Sequence, residues 1–248
     1  MFLTSADLSY FISDVHLSDA RPDITARFNA FFELLFAAPK QPRHVFILGD
    51  LFNVWLGDDV DSPLIQEIMA LFQRCQNADI TLYFMPGNRD YLLGQQFSQK
   101  AQVILLPDPI LVNLAGQAIL LTHGDQFMTL DKKYITYRYV AQHNFIKQYF
   151  PKLPLWFRQK FAAFLRNSSK QQNHHKPRYI MDVDTLTVEK WLTQYQVPNM
   201  IHGHIHRMGC HAHPNVCPEA KRYVLGDWYT QGNYITVDAE QGIVLHQF

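Results

Sequence analysis

Five apolar segments that each end in possible metal ligands constrain this fold more than any other feature of the sequence. The clearest is V-F-I-L-G-D (45–50), in which four apolar residues precede a glycine and Asp50. Such a run predicts a strand that is buried on both faces, as in a parallel sheet. Because ligands of open α/β sheets collect beyond the carboxyl ends of strands, we expect Asp50 to lie at a functional site.

Four other apolar segments have the same form. They end in D-V-H (14–16), G-N-R-D (87–90), H-G-D (123–125) and H-G-H-I-H (202–206). Each motif alone is weak, since Pro-Gly-Asn is ordinary turn chemistry. Five such motifs in this order predict that five strand ends converge on two ions bridged by Asp50. Mixed nitrogen and oxygen donors suit manganese, iron or zinc, and such a pair of ions hydrolyses phosphoesters or pyrophosphates.

Helical periodicity separates these strands. Helices are predicted over 24–38, 62–77 and 182–194, with Ser62 as an N-cap and Pro63 in the first position. Strands predicted over 223–226, 234–237 and 243–246 should complete a second sheet. We therefore expect one α/β domain over residues 1–248, interrupted by a helical insertion.

The insertion, residues 131–180, is called the lid below. It is predicted to contain two or more helices, broken near Pro151 and Pro154, and it carries 11 of the chain's 22 Lys and Arg residues. Aromatic residues alternate with these cations, which suits an anionic amphiphile or an anionic membrane surface. Single-stranded nucleic acid would also suit this pattern, as would a helical cap that packs its own aromatic side chains.

Composition limits the function classes. The formal net charge is zero, which gives no argument for a nucleic-acid partner. We see no secretory signal and no apolar window long enough to span a membrane. Three cysteines without a C-x-x-C pair indicate free thiols in a reducing compartment. Cys210 and Cys217, with His211 and His213, form a weak zinc alternative, and loop residues near a sheet edge are the favoured interpretation.

In these motifs the sequence resembles the calcineurin-like metallophosphoesterases. Within them it resembles the family that hydrolyses UDP-2,3-diacylglucosamine in the biosynthesis of lipid A, the anchor of lipopolysaccharide. The further segments that carry the resemblance are L-G-D-L-F-N-V-W-L-G-D-D (48–59), S-K-x-x-N-x-x-K (169–176) and I-M-D-V (180–183). The resemblance covers essentially the whole chain. It implies a layered sandwich of two mixed β-sheets flanked by helices, with a helical lid.

The resemblance also implies a ligand set for two divalent ions, expected to be Mn²⁺. One ion would be held by Asp14, His16, Asp50 and His206, and the other by Asp50, Asn88, His123 and His204. Because His202 and His204 also form an H-x-H pair, the residues alone leave this register open. The implied catalytic residues are Asp50, Asn88, Arg89 and His123. The implied substrate contacts are Asn88, Arg89, Asp131, Ser169, Asn173, Lys176 and His204.

One departure from the wider superfamily bears on the substrate. Most members have a histidine after G-N, which can protonate a leaving alkoxide, whereas this chain has Arg89. Arginine stays protonated and is a poor general acid. The leaving group should therefore need no proton, as when a pyrophosphate is cleaved and a phosphate leaves.

The implied reaction is attack at the α-phosphorus of UDP-2,3-diacylglucosamine, which gives UMP and 2,3-diacylglucosamine 1-phosphate (lipid X). The lid would shelter the acyl chains, and the protein would sit on the cytoplasmic face of the bacterial inner membrane as a peripheral protein. No obligate protein partner is inferred. The alternatives are a metallophosphoesterase for a soluble nucleotide or other phosphoester, and a non-catalytic lipid-binding protein.

Overall fold

Two six-stranded mixed β-sheets stack face to face in the computed structural model, which describes residues 3–5, 7–38, 43–173 and 183–248, with backbone alone for 167–173. The strands are β1 Leu3–Ser5, β2 Ser9–Ile12, β3 His44–Leu48, β4 Thr81–Met85, β5 Ile104–Leu105, β6 Ile110–Leu114, β7 Gln117–Leu121, β8 Asn199–His202, β9 Gly209–Ala212, β10 Lys221–Val224, β11 Asn233–Asp238 and β12 Gly242–Gln247. The first sheet has the order β12-β11-β2-β3-β4-β5, and the second β1-β6-β7-β8-β10-β9.

The helices flank both sheets. They are α1 Pro22–Ala37, α2 Pro63–Asn77, α3 Gln95–Ala101, α4 Lys132–Ala141, α5 Asn144–Tyr149, α6 Leu155–Asn173 and α7 Thr185–Tyr195. Helices α1, α2 and α3 cover the outer face of the first sheet, and α7 covers the second. The predicted start of α2 is confirmed, because the Ser62 hydroxyl accepts the Ile65 N–H at 3.3 Å and Pro63 follows it.

Strand β3 shows why apolar and polar residues do not alternate along these segments. Val45 and Ile47 face the helices, while Phe46 and Leu48 face the second sheet. Both faces of the strand are therefore buried, as the sequence predicts. Strands β2, β3, β4 and β5 pair in parallel, so their carboxyl ends lie at one edge of the sheet.

Two expectations about strands were incomplete. The late strands divide between the sheets, because β10 pairs with β8 in the second sheet while β11 and β12 join the first. Strand β9 was not predicted. Its sequence, G-C-H-A, has no apolar alternation, and its residues are exposed or half-buried. It is an edge strand held by its register with β10, information that no local pattern carries.

The described part of the lid is helical and is broken where predicted, with a 3₁₀ turn at Phe150–Lys152 between α5 and α6. Among the described residues, 13 of the 19 exposed large apolar side chains lie between Leu130 and Phe164. Trp156 is 61% exposed and Phe164 is 68% exposed. The described part of the lid therefore leaves most of its large aromatic side chains outside any core. No helix in the described ranges is both long and apolar enough to cross a membrane.

Two partly buried polar contacts join the lid to the loops that follow β3 and β7. The Arg158 guanidinium, on α6, donates to the Leu56 carbonyl at 2.7 Å and to Asp59 Oδ1 at 2.8 Å. On α4, Arg138 Nε and the Tyr134 hydroxyl donate to Asp125 Oδ2 at 2.8 and 3.1 Å. Since Asp125 lies two residues beyond His123, this second contact holds the lid close to the predicted site.

Candidate metal centre

The five predicted strand ends meet at one edge of the sandwich, where backbone hydrogen bonds connect their loops. The Asp14 N–H donates to the Gly49 carbonyl at 3.1 Å, and the His16 N–H donates to the Asp50 carbonyl at 3.0 Å. Within the second sheet, the Gly203 N–H donates to the His123 carbonyl at 2.9 Å. Across the two sheets, the His204 N–H donates to Asp14 Oδ2 at 2.8 Å. The ligand-bearing loops are therefore joined by hydrogen bonds both within and between the sheets.

A first donor cluster consists of Asp14, His16 and His206. The Nε2 atoms of the two imidazoles are 3.2 Å apart, and Asp14 Oδ1 lies 3.3 Å from His206 Nε2. Although burial opposes it, the carboxylates of Asp14 and Asp227 raise the pKa of His206 to about 10. Burial, together with the positive charges of His206 and Arg89, lowers the pKa of His16 to about 3 despite Asp14.

A second donor cluster consists of Asp50, His123 and His204, with Asn88 between the two rings. Asn88 Oδ1 lies 3.1 Å from His123 Nε2 and 2.9 Å from His204 Nδ1. Burial disfavours a charged His123, but Asp50, Asp14 and Asp125 raise its pKa to about 9. Burial and the charge of His123 lower the pKa of His204 to about 3.

Asp50 lies between the clusters. Its Oδ1 is 3.7 Å from His123 Nε2, and its Oδ2 is 4.0 Å from His16 Nε2. Burial raises the pKa of Asp50 to about 7, and the carboxylates of Asp90 and Asp14 add to this shift while His123 opposes it. One carboxylate thus faces both donor sets, which is the arrangement expected of a bridging ligand.

The donor chemistry fits two divalent cations. Each cluster directs imidazole nitrogens and carboxylate oxygens toward a common point, and each contains one imidazole whose pKa is raised by its neighbours. A proton on that imidazole supplies positive charge among buried carboxylates, and a cation would supply the same charge. Carboxylate, amide and imidazole donors together suit first-row transition metals better than calcium or magnesium.

His202 belongs to neither donor cluster, and its own contacts favour His204 and His206 in the H-x-H register that the sequence left open. It is fully buried, its Nδ1–H donates to the Gly203 carbonyl at 2.7 Å, and its Nε2 accepts from Arg222 Nη1 at 3.1 Å. Both ring nitrogens are therefore engaged away from the donor clusters. His204 and His206 remain as the predicted pair.

Three carboxylates near the site were not identified as site residues from sequence. Asp90 accepts four backbone N–H groups in the loops that carry Asp50 and Asn88. Asp227 Oδ2 lies 3.4 Å from His206 Nδ1. Asp125 anchors the lid through Tyr134 and Arg138, as described above. The G-N-R-D and H-G-D motifs contain two of them. Asp227 ends the segment Y-V-L-G-D (223–227), which has the same form as the segment ending in Asp50 and could have identified it.

The predicted substrate contacts are only partly described. The Arg89 N–H donates to Asp50 Oδ1 at 2.8 Å, and the Arg89 side chain is exposed beside the clusters. Asp131 caps α4 by accepting the Tyr134 N–H at 3.1 Å, and the Tyr134 ring is 5.6 Å from the His204 ring. Ser169 and Asn173 lie on α6 but their side chains are outside the described part of the chain, as is all of Lys176.

The zinc alternative gains no support from the structure. Among the described residues, the convergent groups of His, Cys, Asp and Glu side chains are the two clusters above, and neither includes Cys210 or Cys217. Cys210 lies on the edge strand β9. This agrees with the interpretation of the region as a sheet edge.

Comparison with known proteins places this site in a family. The model of the calcineurin-like phosphoesterases matches residues 9–208. A protein named UDP-2,3-diacylglucosamine hydrolase from Aeromonas hydrophila is 41% identical over 91% of this chain and 92% of its own length. Proteins of the same name from Histophilus somni and Pseudomonas entomophila are each 40% identical, over 93% and 96% of this chain and 96% and 97% of their own lengths. The family resemblance inferred from the motifs is confirmed: the chain belongs to the calcineurin-like phosphoesterases.

Proposed function

We propose that this chain hydrolyses the pyrophosphate bond of UDP-2,3-diacylglucosamine in lipid A biosynthesis. Water would attack the α-phosphorus, giving UMP and 2,3-diacylglucosamine 1-phosphate. The observation that carries the proposal is the position of Asp50 between two donor clusters, in a chain whose relatives bear the name of this hydrolase.

The proposed ligands of one ion are Asp14, His16, Asp50 and His206, and those of the other are Asp50, Asn88, His123 and His204. Manganese is the proposed metal. When bound, two such ions supply positive charge to the phosphoryl oxygens and lower the pKa of an attacking water. The contribution of the protein is to hold seven donors in place through the hydrogen bonds between the loops.

Arg89 is proposed to bind the phosphoryl oxygens. Its backbone is fixed on both sides, because its N–H donates to Asp50 and its carbonyl accepts the Trp55 N–H at 2.9 Å. The exposed guanidinium is thereby presented next to Asp50, and arginine is a poor general acid. It can stabilise charge on a phosphoryl group but cannot protonate an alkoxide, so a phosphate leaving group suits this site.

The lid, residues 131–180, is proposed to hold the acyl chains over the metal centre. Trp156, Phe157, Phe161 and Phe164 expose 41–68% of their surface, which supports an apolar ligand or a bilayer as their neighbour. Exposed cations nearby, Lys160 on α6 and Lys152 in the 3₁₀ turn before it, would contact anionic headgroups. We therefore propose peripheral binding to the cytoplasmic face of the inner membrane, with Asp131, Ser169, Asn173, Lys176 and His204 as further substrate contacts.

The test is hydrolysis of UDP-2,3-diacylglucosamine in dilute detergent with Mn²⁺ and ¹⁸O-water, with Asp50→Asn as the control. The expected result is label in UMP and loss of turnover in the variant. Label in the sugar phosphate would overturn attack at the α-phosphorus. If the wild-type protein cleaved a soluble dinucleotide with Mn²⁺ but left the lipid substrate intact, the lipid assignment would be wrong.

A further inference from the structure

The connection between β10 and β11 contacts the first donor cluster, although no motif of the family pattern marks it. Its segment Asp227-Trp228-Tyr229 lies against both imidazoles of that cluster. Asp227 Oδ2 is 3.4 Å from His206 Nδ1. The Tyr229 ring stacks on the His16 ring, with 5.6 Å between centroids and 18° between planes.

We propose that Asp227 and Tyr229 are positioning residues that set the affinity of the first cluster for its ion. The proposal rests on the metal assignment made under the proposed function. Asp227 would act through His206 and Tyr229 through His16, while neither residue ligates the ion. The second cluster would bind its ion independently of this segment.

The segment is rigid enough for this role, because each of its carbonyls accepts a hydrogen bond from a side chain elsewhere. Asn233 Nδ2 donates to the Asp227 carbonyl at 2.9 Å, Arg27 to that of Trp228 at 2.6 Å, and Arg21 to that of Tyr229 at 2.9 Å. The Trp228 side chain is fully buried. The position of the segment is therefore determined by the fold and not by the bound ion.

Asp227 fixes the tautomer of His206. A carboxylate opposite Nδ1 holds a proton on that nitrogen, so Nε2, which faces Asp14 Oδ1 and His16 Nε2, is the nitrogen that would give up its proton to an ion. A carboxylate behind a ligating imidazole also increases the basicity of the imidazole. In the second cluster, His123 Nδ1 instead contacts the Leu48 carbonyl at 2.8 Å, so that ring has its own backbone support.

Tyr229 has a different role, which is to restrain the His16 ring. His16 Nδ1 is buried and has no hydrogen-bond partner among the described residues. No hydrogen bond from that nitrogen therefore fixes the rotation of the His16 ring. The stacked Tyr229 ring restrains this rotation through its face. The backbone of Tyr229 is held in turn by Asp227, whose Oδ1 accepts the Tyr229 N–H at 3.0 Å.

The decisive variant is Asp227→Asn. The remaining oxygen still accepts the Tyr229 N–H, while an NH₂ group replaces the oxygen that faces His206. That NH₂ favours the opposite tautomer, in which Nε2 carries the proton and cannot ligate. Mn²⁺ binding to the metal-free protein is measured by calorimetry and by electron paramagnetic resonance. We expect one of two ions to bind about 10–100-fold more weakly, and the other to bind as in wild type.

Three comparisons separate this effect from general damage. Tyr229→Leu should weaken the same ion, and Tyr229→Phe should preserve its affinity because it keeps the ring. In a double-mutant cycle, the losses from Asp227→Asn and His206→Gln should not add. Asp61→Asn, at an exposed carboxylate, should bind both ions as wild type.

The outcomes also separate this inference from the proposed function. If the wild-type protein binds two ions and hydrolyses the lipid substrate, but Asp227→Asn binds both ions with wild-type affinity, the positioning role is refuted and the function stands. Equal weakening of both ions would refute it as well. A wild-type protein that binds no pair of ions would overturn the metal assignment itself.

Discussion

Asp90→Asn should destabilise the protein by about 3 kcal/mol, although Asp90 is not a proposed ligand. Asp90 is fully buried. Its Oδ1 accepts the N–H groups of Gly87 at 2.7 Å and Asp50 at 3.2 Å, and its Oδ2 accepts those of Leu51 at 2.8 Å and Phe52 at 3.3 Å. An amide retains one oxygen, so two buried N–H donors lose their acceptor and face an NH₂ group.

The magnitude follows from the number and quality of these bonds. A buried donor left without a partner costs about 1–3 kcal/mol. Each oxygen makes one short and one long bond, so losing either pair gives about 3 kcal/mol. For a chain of this size, the melting temperature should fall by about 6–12 °C, since 1 kcal/mol corresponds to about 2–4 °C. The affinity for Mn²⁺ should fall too, because Asp90 joins the loops of Asp50 and Asn88.

The assay is urea and thermal unfolding of the metal-free protein, so that ion binding does not enter the comparison. Asp61→Asn is the matched control, because Asp61 is exposed and bonds to Gln66 at 3.1 Å. That control should change stability by less than about 0.5 kcal/mol. If Asp90→Asn melted within about 1 °C of wild type, the four hydrogen bonds would contribute much less to the free energy of unfolding than we predict.

Three further predictions concern a contact of the lid, the N-cap of α7 and a glycine that lies against Asp14. Arg158→Ala, which removes the contacts to Leu56 and Asp59, should cost about 2 kcal/mol and speed limited proteolysis of the lid, whereas the exposed Lys160→Ala should not. Asp184 is the N-cap of α7 and accepts the Leu186 N–H at 3.3 Å, so Asp184→Ala should cost about 1 kcal/mol in urea unfolding. The hydrogen bond from Thr187 lowers the pKa of Asp184 below its ordinary value of 3.8. The difference in stability between wild type and Asp184→Ala should therefore persist above pH 3.8 and vanish as the pH falls through the pKa of the folded state. Gly203→Ala should abolish Mn²⁺ binding measured by calorimetry, because the added Cβ would overlap Ser13 Oγ and Asp14 Oδ2. Gly116→Ala should leave Mn²⁺ binding unchanged, because a Cβ added there meets no atom within 4 Å.

The fold was predictable where one segment carries its own signal. The buried run of β3 and the cap of α2 depend on residues that are adjacent in sequence, and both were predicted correctly. The assignment of β10 to one sheet and β11 to the other depends on pairing between segments far apart in the chain. A polar edge strand such as β9 exists because β10 offers it hydrogen bonds. These features result from tertiary structure and leave no local pattern.

The candidate site shows the same division. Residues that follow apolar strands were identified because the strand itself points to them, and the structure brings Asp14, Asp50, His123 and His206 together. The sequence did not separate His202 from His204, because the distinction is made by Arg222, 20 residues further along. Asp227 was also missed, although Y-V-L-G-D (223–227) has the same apolar run, glycine and aspartate as the segment that ends in Asp50. A strand-end pattern thus locates carboxylates near the site, but it does not tell which of them belong to a donor cluster and which lie behind one of its rings.

The backbone at the site explains why glycine does not mark these positions. Five proposed ligands have left-handed φ values between 55° and 71°: Asp14, His16, Asp50, His204 and His206. This conformation is uncommon for residues with a Cβ, but Asp and His adopt it more readily than most. The residue types that bind metals are thus also suited to the turn that follows a strand. Each such residue costs about 1–3 kcal/mol, a sum comparable to the stability of a domain. The inter-loop bonds from Asp14 and His16 must therefore hold these conformations before an ion binds, so the fold itself prepares the ligand geometry.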